Sequence, residues 1–211
     1  MFIVFEGIDG CGKTTLAKAM WQRQKDRLPN RAAWLTAEPT RHLKAGEILR
    51  QHLQGNNQER LTDIHFVEYL ALLMAADRQL HYWQEIEPAL SRNEWVLCDR
   101  FAWSSYAYQS ATGMNIEWLV QLNCRVKVPS LTVLIELDIE TAKQRRQQER
   151  PEELFESDHT LRRVASSYHW LAEQKTGFAV IDTAPLLVLD GRLSTEAQLD
   201  EIWARLKLPG G

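Results

Sequence analysis

Phe2-Ile3-Val4-Phe5-Glu6-Gly7-Ile8-Asp9-Gly10-Cys11-Gly12-Lys13-Thr14-Thr15 decides the reading of this chain. An apolar run, a glycine-rich turn and the start of a stretch without Gly or Pro up to Arg27 predict strand, loop and helix in immediate succession. Gly7 to Thr14 fits the spacing GxxxxGK followed by Ser or Thr, the pattern of a loop whose backbone N–H groups surround a polyphosphate. Gly7, Gly10, Cys11, Gly12, Lys13, Thr14 and Thr15 are therefore the expected nucleotide-phosphate contacts. Lys13 reaches the terminal phosphates, and the Thr14 hydroxyl ligates magnesium.

Outward from this loop the strands and helices alternate. Ala32–Thr36, Trp95–Cys98, Leu131–Leu137 and Phe178–Ile181 read as four further strands. Helices are expected over Lys44–Gln54, Leu61–Leu90, the stretches before and after Gly113, the segment that follows Asp138, and Thr195–Leu206. The alternation predicts an α/β fold with a parallel sheet covered on both faces, and ligands at the carboxyl ends of its strands. Asp9, Lys13, Glu38 and Arg100 then share one edge.

With 211 residues and a formal charge of −3, the chain reads as a single domain over residues 1–211 with a full core of its own. The dispersed charge predicts neither a nucleic-acid coat nor a membrane-surface protein. Cys11, Cys98 and Cys124 lack metal-ligand spacing and fit a reducing, cytoplasmic setting. No apolar run is long enough to span a bilayer.

Further motifs follow in order: Glu38-Pro39-Thr40, Gly46 to Arg50, Ala75-Ala76-Asp77-Arg78, Cys98-Asp99-Arg100-Phe101 with Ser104 to Gln109, and an arginine-rich stretch before Glu153-Leu154-Phe155-Glu156. Together with the phosphate loop they resemble the thymidylate kinase family of nucleoside monophosphate kinases, from about Phe2 to Tyr168. The resemblance implies a three-layer α/β/α fold with strand order 2-3-1-4-5, a short lid over about 143–155, and a homodimer. It also implies transfer of the ATP γ-phosphate to dTMP with Mg2+.

What each residue would do follows from the same resemblance and from its chemistry. Arg100 grips the acceptor phosphate with a planar fork, and Asp99 helps hold magnesium with Thr14; a bland alternative is an Asp99–Arg100 salt bridge. Asp9 lies near the sugar 3′-hydroxyl. Ser104, Ser105 and Tyr108 share a helix face that lines the nucleoside pocket, with Tyr108 against the ribose 2′ position. Arg78 reads the base edge. Met74 stands where a phenylalanine commonly stacks on thymine, which opens an alternative acceptor, a 5-substituted deoxyuridylate such as 5-hydroxymethyl-dUMP.

Glu38 belongs to the substrate loop, where Arg50 or Arg41 supplies a phosphate contact. Gly10 occupies a loop position that is arginine in one subgroup, so the missing charge is expected from the lid, through Arg146 and Arg150. Lys143, Arg146 and Arg150 share one stripe of that helix. Cys11, beside a helix start, is a candidate low-pKa thiol. A reading from a different class also stands: a nucleotide-binding switch protein without turnover of a small substrate.

Overall fold

The computed structural model describes residues 1–54, 58–147, 154–155, 157–173 and 185–206. Five parallel strands form its sheet: β1 (Phe2–Glu6), β2 (Ala33–Ala37), β3 (Trp95–Asp99), β4 (Leu131–Glu136) and β5 (Leu186–Asp190). Their order is β2-β3-β1-β4-β5, as the resemblance implies. β1 is central and buried along its whole length, which is why its sequence is a continuous apolar run rather than an alternation. Its register sets Phe5 opposite both Asp99 of β3 and Val133 of β4. The carboxyl ends of β1 and β3 are thereby level, and the loops after them meet.

The helices are α1 (Lys13–Arg27), α2 (Lys44–Leu53), α3 (Ile64–His81), α4 (Glu87–Ser91), α5 (Ala102–Ser110), α6 (Ile116–Leu122), α7 (Ile139–Gln147), α8 (Asp158–Glu173) and α9 (Thr195–Arg205). They cover both sides of the sheet; α1 packs with α9, and α5 with α3 and α8. The side chain of Trp203 on α9 stacks on Trp95 of β3, with ring centroids 6.4 Å apart. Arg23 of α1 pairs with Glu196 and Asp200 across the same junction.

Three expectations change. The long helix over Leu61–Leu90 is divided: a 3-10 turn at Gln58–Thr62, then α3 capped by Asp63, then a π-helical turn at Tyr82–Ile86 leading to α4, where Pro88 stands in the first turn. The helical path is continuous from Ile64 to Ser91, and the π-helical turn, in which the Glu87 N–H donates to the Tyr82 carbonyl, directly precedes the residue that has no N–H to give. The strand expected at Phe178–Ile181 lies outside the described residues, and the fifth place in the sheet is taken by β5. Helix α8 had no counterpart in the sequence reading, although Leu161, Val164, Tyr168 and Leu171 recur at helical spacing and are all buried.

Candidate functional site

The loop between β1 and α1 closes on itself with a hydrogen bond from the Cys11 N–H to the Ile8 carbonyl, 3.3 Å. Gly12 caps α1 at φ 102°, a left-handed conformation natural only to glycine, and no side chain supplies a cap. The first N–H groups of the helix therefore remain available to an anion. Lys13 is buried, its Nζ donating to the Ile8 carbonyl at 2.7 Å. The ammonium is thus stored inside the loop, one rotamer change from any phosphate seated there.

Beside it, the Thr14 hydroxyl donates to Asp99 Oδ2. The other oxygen, Asp99 Oδ1, is buried and has no hydrogen-bond partner among the described residues. A hydroxyl and a half-satisfied carboxylate are hard oxygen donors, the set that holds magnesium together with substrate phosphates and water. No group of three or more His, Cys, Asp or Glu side chains forms a cage among the described residues. The residues present fit a cation shared with a bound polyphosphate. The Asp99–Arg100 salt bridge weighed as an alternative does not form; Arg100 turns the other way.

Arg100 adopts φ 69°, a left-handed backbone that costs a non-glycine residue about 1–2 kcal/mol. This turn directs the guanidinium back under the loop. Nη1 donates to the Gly7 carbonyl at 3.2 Å and to Ser104 Oγ at 3.1 Å; Nη2 donates to Asp9 Oδ1 at 2.7 Å and to the Tyr108 hydroxyl at 3.1 Å. The Tyr108 hydroxyl in turn donates to Asp9 Oδ2 at 2.9 Å. Burial pulls the Asp9 carboxyl upward, but the charges of Arg100 and Lys13 outweigh it and hold the group well below the usual carboxylate range. Burial likewise keeps the Tyr108 phenol protonated. Asp9, Arg100 and Tyr108 are one unit, two charges and a hydroxyl pointing at the same space.

A second unit lines the opposite wall. Arg78 is buried; Nε donates to Glu38 Oε2 at 2.8 Å, Nη1 to Ser105 Oγ at 3.0 Å and Asn123 Oδ1 at 2.5 Å, and Nη2 to the Phe101 carbonyl at 3.0 Å. Four of the five guanidinium donors are engaged, so its main work is to orient Ser105 and Glu38, with one N–H left for a ligand. Glu38 Oε1 lies 3.1 Å from His81 Nδ1, and His81 Nε2 lies 2.8 Å from Thr36 Oγ1. The Met74 sulfur accepts from Gln109 Nε2 at 2.7 Å, which fixes the thioether beside Ser105.

The loop after β2 is stapled by Asp77, which accepts from the Thr40 N–H at 2.8 Å and from its hydroxyl at 2.5 Å. Arg50 braces the same loop by donating to the carbonyls of Thr40 and Pro39. Gly46 is what permits the approach: a Cβ there would stand 2.3 Å from the Thr40 carbonyl oxygen. Gly46→Ala is therefore expected to destabilise the fold by about 1–3 kcal/mol. It should also raise the acceptor KM, because Arg50 and Glu38 move with Thr40. Thermal unfolding and substrate titration check both effects.

These walls enclose a cleft of about 780 Å³. Asp9 to Thr15, Glu38, Arg50, Met74, Arg78, Asp99, Arg100, Ser104, Ser105, Tyr108 and Arg146 all line it, as does Arg41. Gly7 lies at the loop's base and meets the site only through its carbonyl. Arg150 and the rest of the expected lid over 148–153 lie outside the described residues. Of the stripe expected on α7, Arg146 lines the cleft and Lys143 does not. Lys143 pairs with Asp158 at 2.8 Å, whereas Arg145 and Arg146 line the cleft and Arg145 donates to the Gly191 carbonyl at 3.0 Å. Cys11 also departs from expectation: burial pushes its thiol up despite nearby Lys13, so the low-pKa thiol predicted from the helix start is absent.

Sequence reasoning missed the far wall made by Gly191, Leu193, Ser194, Thr195 and Gln198 after β5, because no motif marks it. It also missed Glu6, Asp77 and Tyr168. Glu6 was legible in principle, as a carboxylate in an otherwise apolar central strand.

The comparisons with known proteins agree with this geometry. A family model described as thymidylate kinase matches residues 5–188. A probable thymidylate kinase of Methanococcus aeolicus is 37% identical over 191 residues, covering 86% of this chain and 87% of the relative. One from Methanocaldococcus jannaschii is 38% identical with 87% of each chain covered, and one from Pyrococcus horikoshii is 40% identical with 68% of each covered.

Proposed function

The chain belongs to the thymidylate kinase family, and from that premise we propose that this nucleoside monophosphate kinase transfers the γ-phosphoryl group of ATP to dTMP, giving dTDP. The observation that carries this reading is the convergence of Lys13, Arg100 and the Asp9–Tyr108 pair on one cleft from the ends of β1 and β3. Phosphoryl transfer needs positioning and charge cancellation more than acid or base chemistry, and these groups supply both.

The donor phosphates sit on the loop amides with Lys13, and the acceptor phosphate meets Arg100. An acceptor phosphate oxygen forms the new bond to the γ-phosphorus as the bond to the β–γ bridging oxygen breaks. Magnesium, when bound, would offset the charge of the donor phosphates, held by Thr14 and Asp99. Asp9 and Tyr108 meet the deoxyribose. Met74, Ser105 and the remaining Arg78 donor form the base end, and Arg145, Arg146 and the loop after β5 close the donor end.

Met74 keeps one chemical alternative, a 5-substituted deoxyuridylate, because a thioether offers no flat face to set the plane of a base as a ring does. The switch-protein reading fits poorly, since the cleft continues past the phosphate loop into a second polar wall. The protein is proposed to act as a homodimer in the cytoplasm. Tyr69, Leu72 and Trp83 expose an apolar stripe along α3 and the turn after it, and no described helix is long and apolar enough to cross a membrane.

An ADP-release assay with ATP and magnesium, across dTMP, dUMP, 5-hydroxymethyl-dUMP, dCMP and UMP, tests the proposal. dTMP is the expected best acceptor. A preference for the hydroxymethyl compound would move the assignment to the alternative, and release of ADP that ignores every acceptor would overturn both.

A further inference from the structure

Glu6 ends β1 and is fully buried beneath the phosphate loop. A carboxylate in such a place is costly unless its oxygens are satisfied. Four donors satisfy them: Oε1 accepts from the Phe101 N–H at 2.8 Å and the Ser104 N–H at 3.2 Å, and Oε2 from the Ser104 hydroxyl at 2.6 Å and the Tyr168 hydroxyl at 2.9 Å. Phe101 is the N-cap of α5 and its own side chain makes no capping bond. Glu6 therefore acts as the cap from a neighbouring strand, taking the N–H groups of the N-cap and of the third helical residue, with its negative charge at the favourable end of the helix.

The residue just before this cap is Arg100, and the hydroxyl that Glu6 holds is the one Arg100 Nη1 donates to at 3.1 Å. A hydroxyl that gives its own proton to a carboxylate presents its lone pairs to the guanidinium in a fixed direction. On the other side, Arg100 is held by Asp9 and Tyr108. Burial raises the Glu6 carboxyl, and Ser104, the charge of Arg100, Tyr168 and the Phe101 N–H offset that in part.

We infer that Glu6 is a positioning residue for Arg100: it caps α5 and, through Ser104, sets the guanidinium in the direction from which it meets the acceptor phosphate. The inference deepens the proposed function and rests on its placement of the acceptor phosphate at Arg100. Glu6 touches no substrate in this scheme. Its loss should appear as a defect for one substrate and not the other.

Glu6→Gln is the informative change, since the amide keeps a carbonyl for the two N–H groups of the cap but loses the acceptor that orients Ser104. The parent is assayed first for acceptor-dependent ADP release; without it the proposed function fails, whatever the variants do. With an active parent, Glu6→Gln is expected to raise the dTMP KM about tenfold or more while the ATP KM stays within about twofold. Ser104→Ala should give the same split, and the double variant should be no worse than the worse single one, because both break the same link. An unchanged dTMP KM, an equal rise in both KM values, or additive effects in the double variant would overturn the inference while leaving the proposed function standing. Should Glu6→Gln fail to fold, Tyr168→Phe decides by the same split, since it removes a donor to Glu6 from a residue that does not line the cleft.

Discussion

Lys13→Ala is expected to lower kcat by roughly a hundred- to a thousandfold, the usual consequence of removing one preorganised donor aimed at developing charge. Lys13 Nζ is enclosed by the loop and bonded to the Ile8 carbonyl, so it has a short, directed path to the phosphates. The change should leave the fold largely intact. α1 starts from Gly12 and is held by Leu16, Ala17 and Met20, all buried, whereas the lysine head makes no bond outside its own loop. Turnover measured beside the thermal midpoint separates the two effects. A variant within about tenfold of the parent would show that the loop amides carry the phosphate without the lysine.

Replacing Arg100 should be as damaging to activity and more informative about structure. Arg100→Gly and Arg100→Ala are both expected to lose kcat/KM for the acceptor by about a hundredfold or more. Their stabilities should differ. Residue 100 sits at φ 69°, so glycine relieves a backbone strain that alanine retains, and the glycine variant should be the more stable by about 1 kcal/mol. Both variants remove the stronger of the two charges that depress the Asp9 carboxyl and leave only that of Lys13. In the parent, Asp9 is depressed, so its pairing contributes stability above the unfolded carboxylate value of about 3.9 and surrenders it only as the pH falls through the lower folded value. Without Arg100 that folded value rises, and acid unfolding should begin at a higher pH. Acid titration by circular dichroism, repeated with Asp9→Asn added, checks this; an unmoved midpoint would show that Asp9 is satisfied without Arg100.

The parts of the fold that could be read from sequence were those where local pattern and burial coincide. β1, β3 and β4 are apolar runs because both faces are covered, and the phosphate loop has its glycines where left-handed turns occur. α8 carries its regular stripe of Leu161, Val164, Tyr168 and Leu171 among polar and charged residues, without a motif to mark it. In the site, residues that face the cleft and sit in motifs were found. Those that hold them were not. Glu6 acts through partners about a hundred residues away, Asp77 through Thr40, and Asn123 through Arg78, and no spacing in the chain announces such pairings. Arg78 does line the cleft, but its commitment to Glu38, Ser105, Asn123 and Phe101 is a property of three-dimensional packing alone.

Gly10 carries a consequence for how this protein can change over generations. A Cβ at that position would lie 2.2 Å from the carbonyl oxygen of Ala142 on α7, and the residue holds φ 85°. A basic residue therefore cannot be introduced into the loop by one substitution unless α7 withdraws, and α7 is the helix that presents Arg145 and Arg146. A side chain at position 10 is thus coupled to the placement of α7, and cannot be changed there independently of it. Inheritance at position 10 is therefore constrained by the shape of the backbone around it, since a side chain there needs a compensating shift of α7.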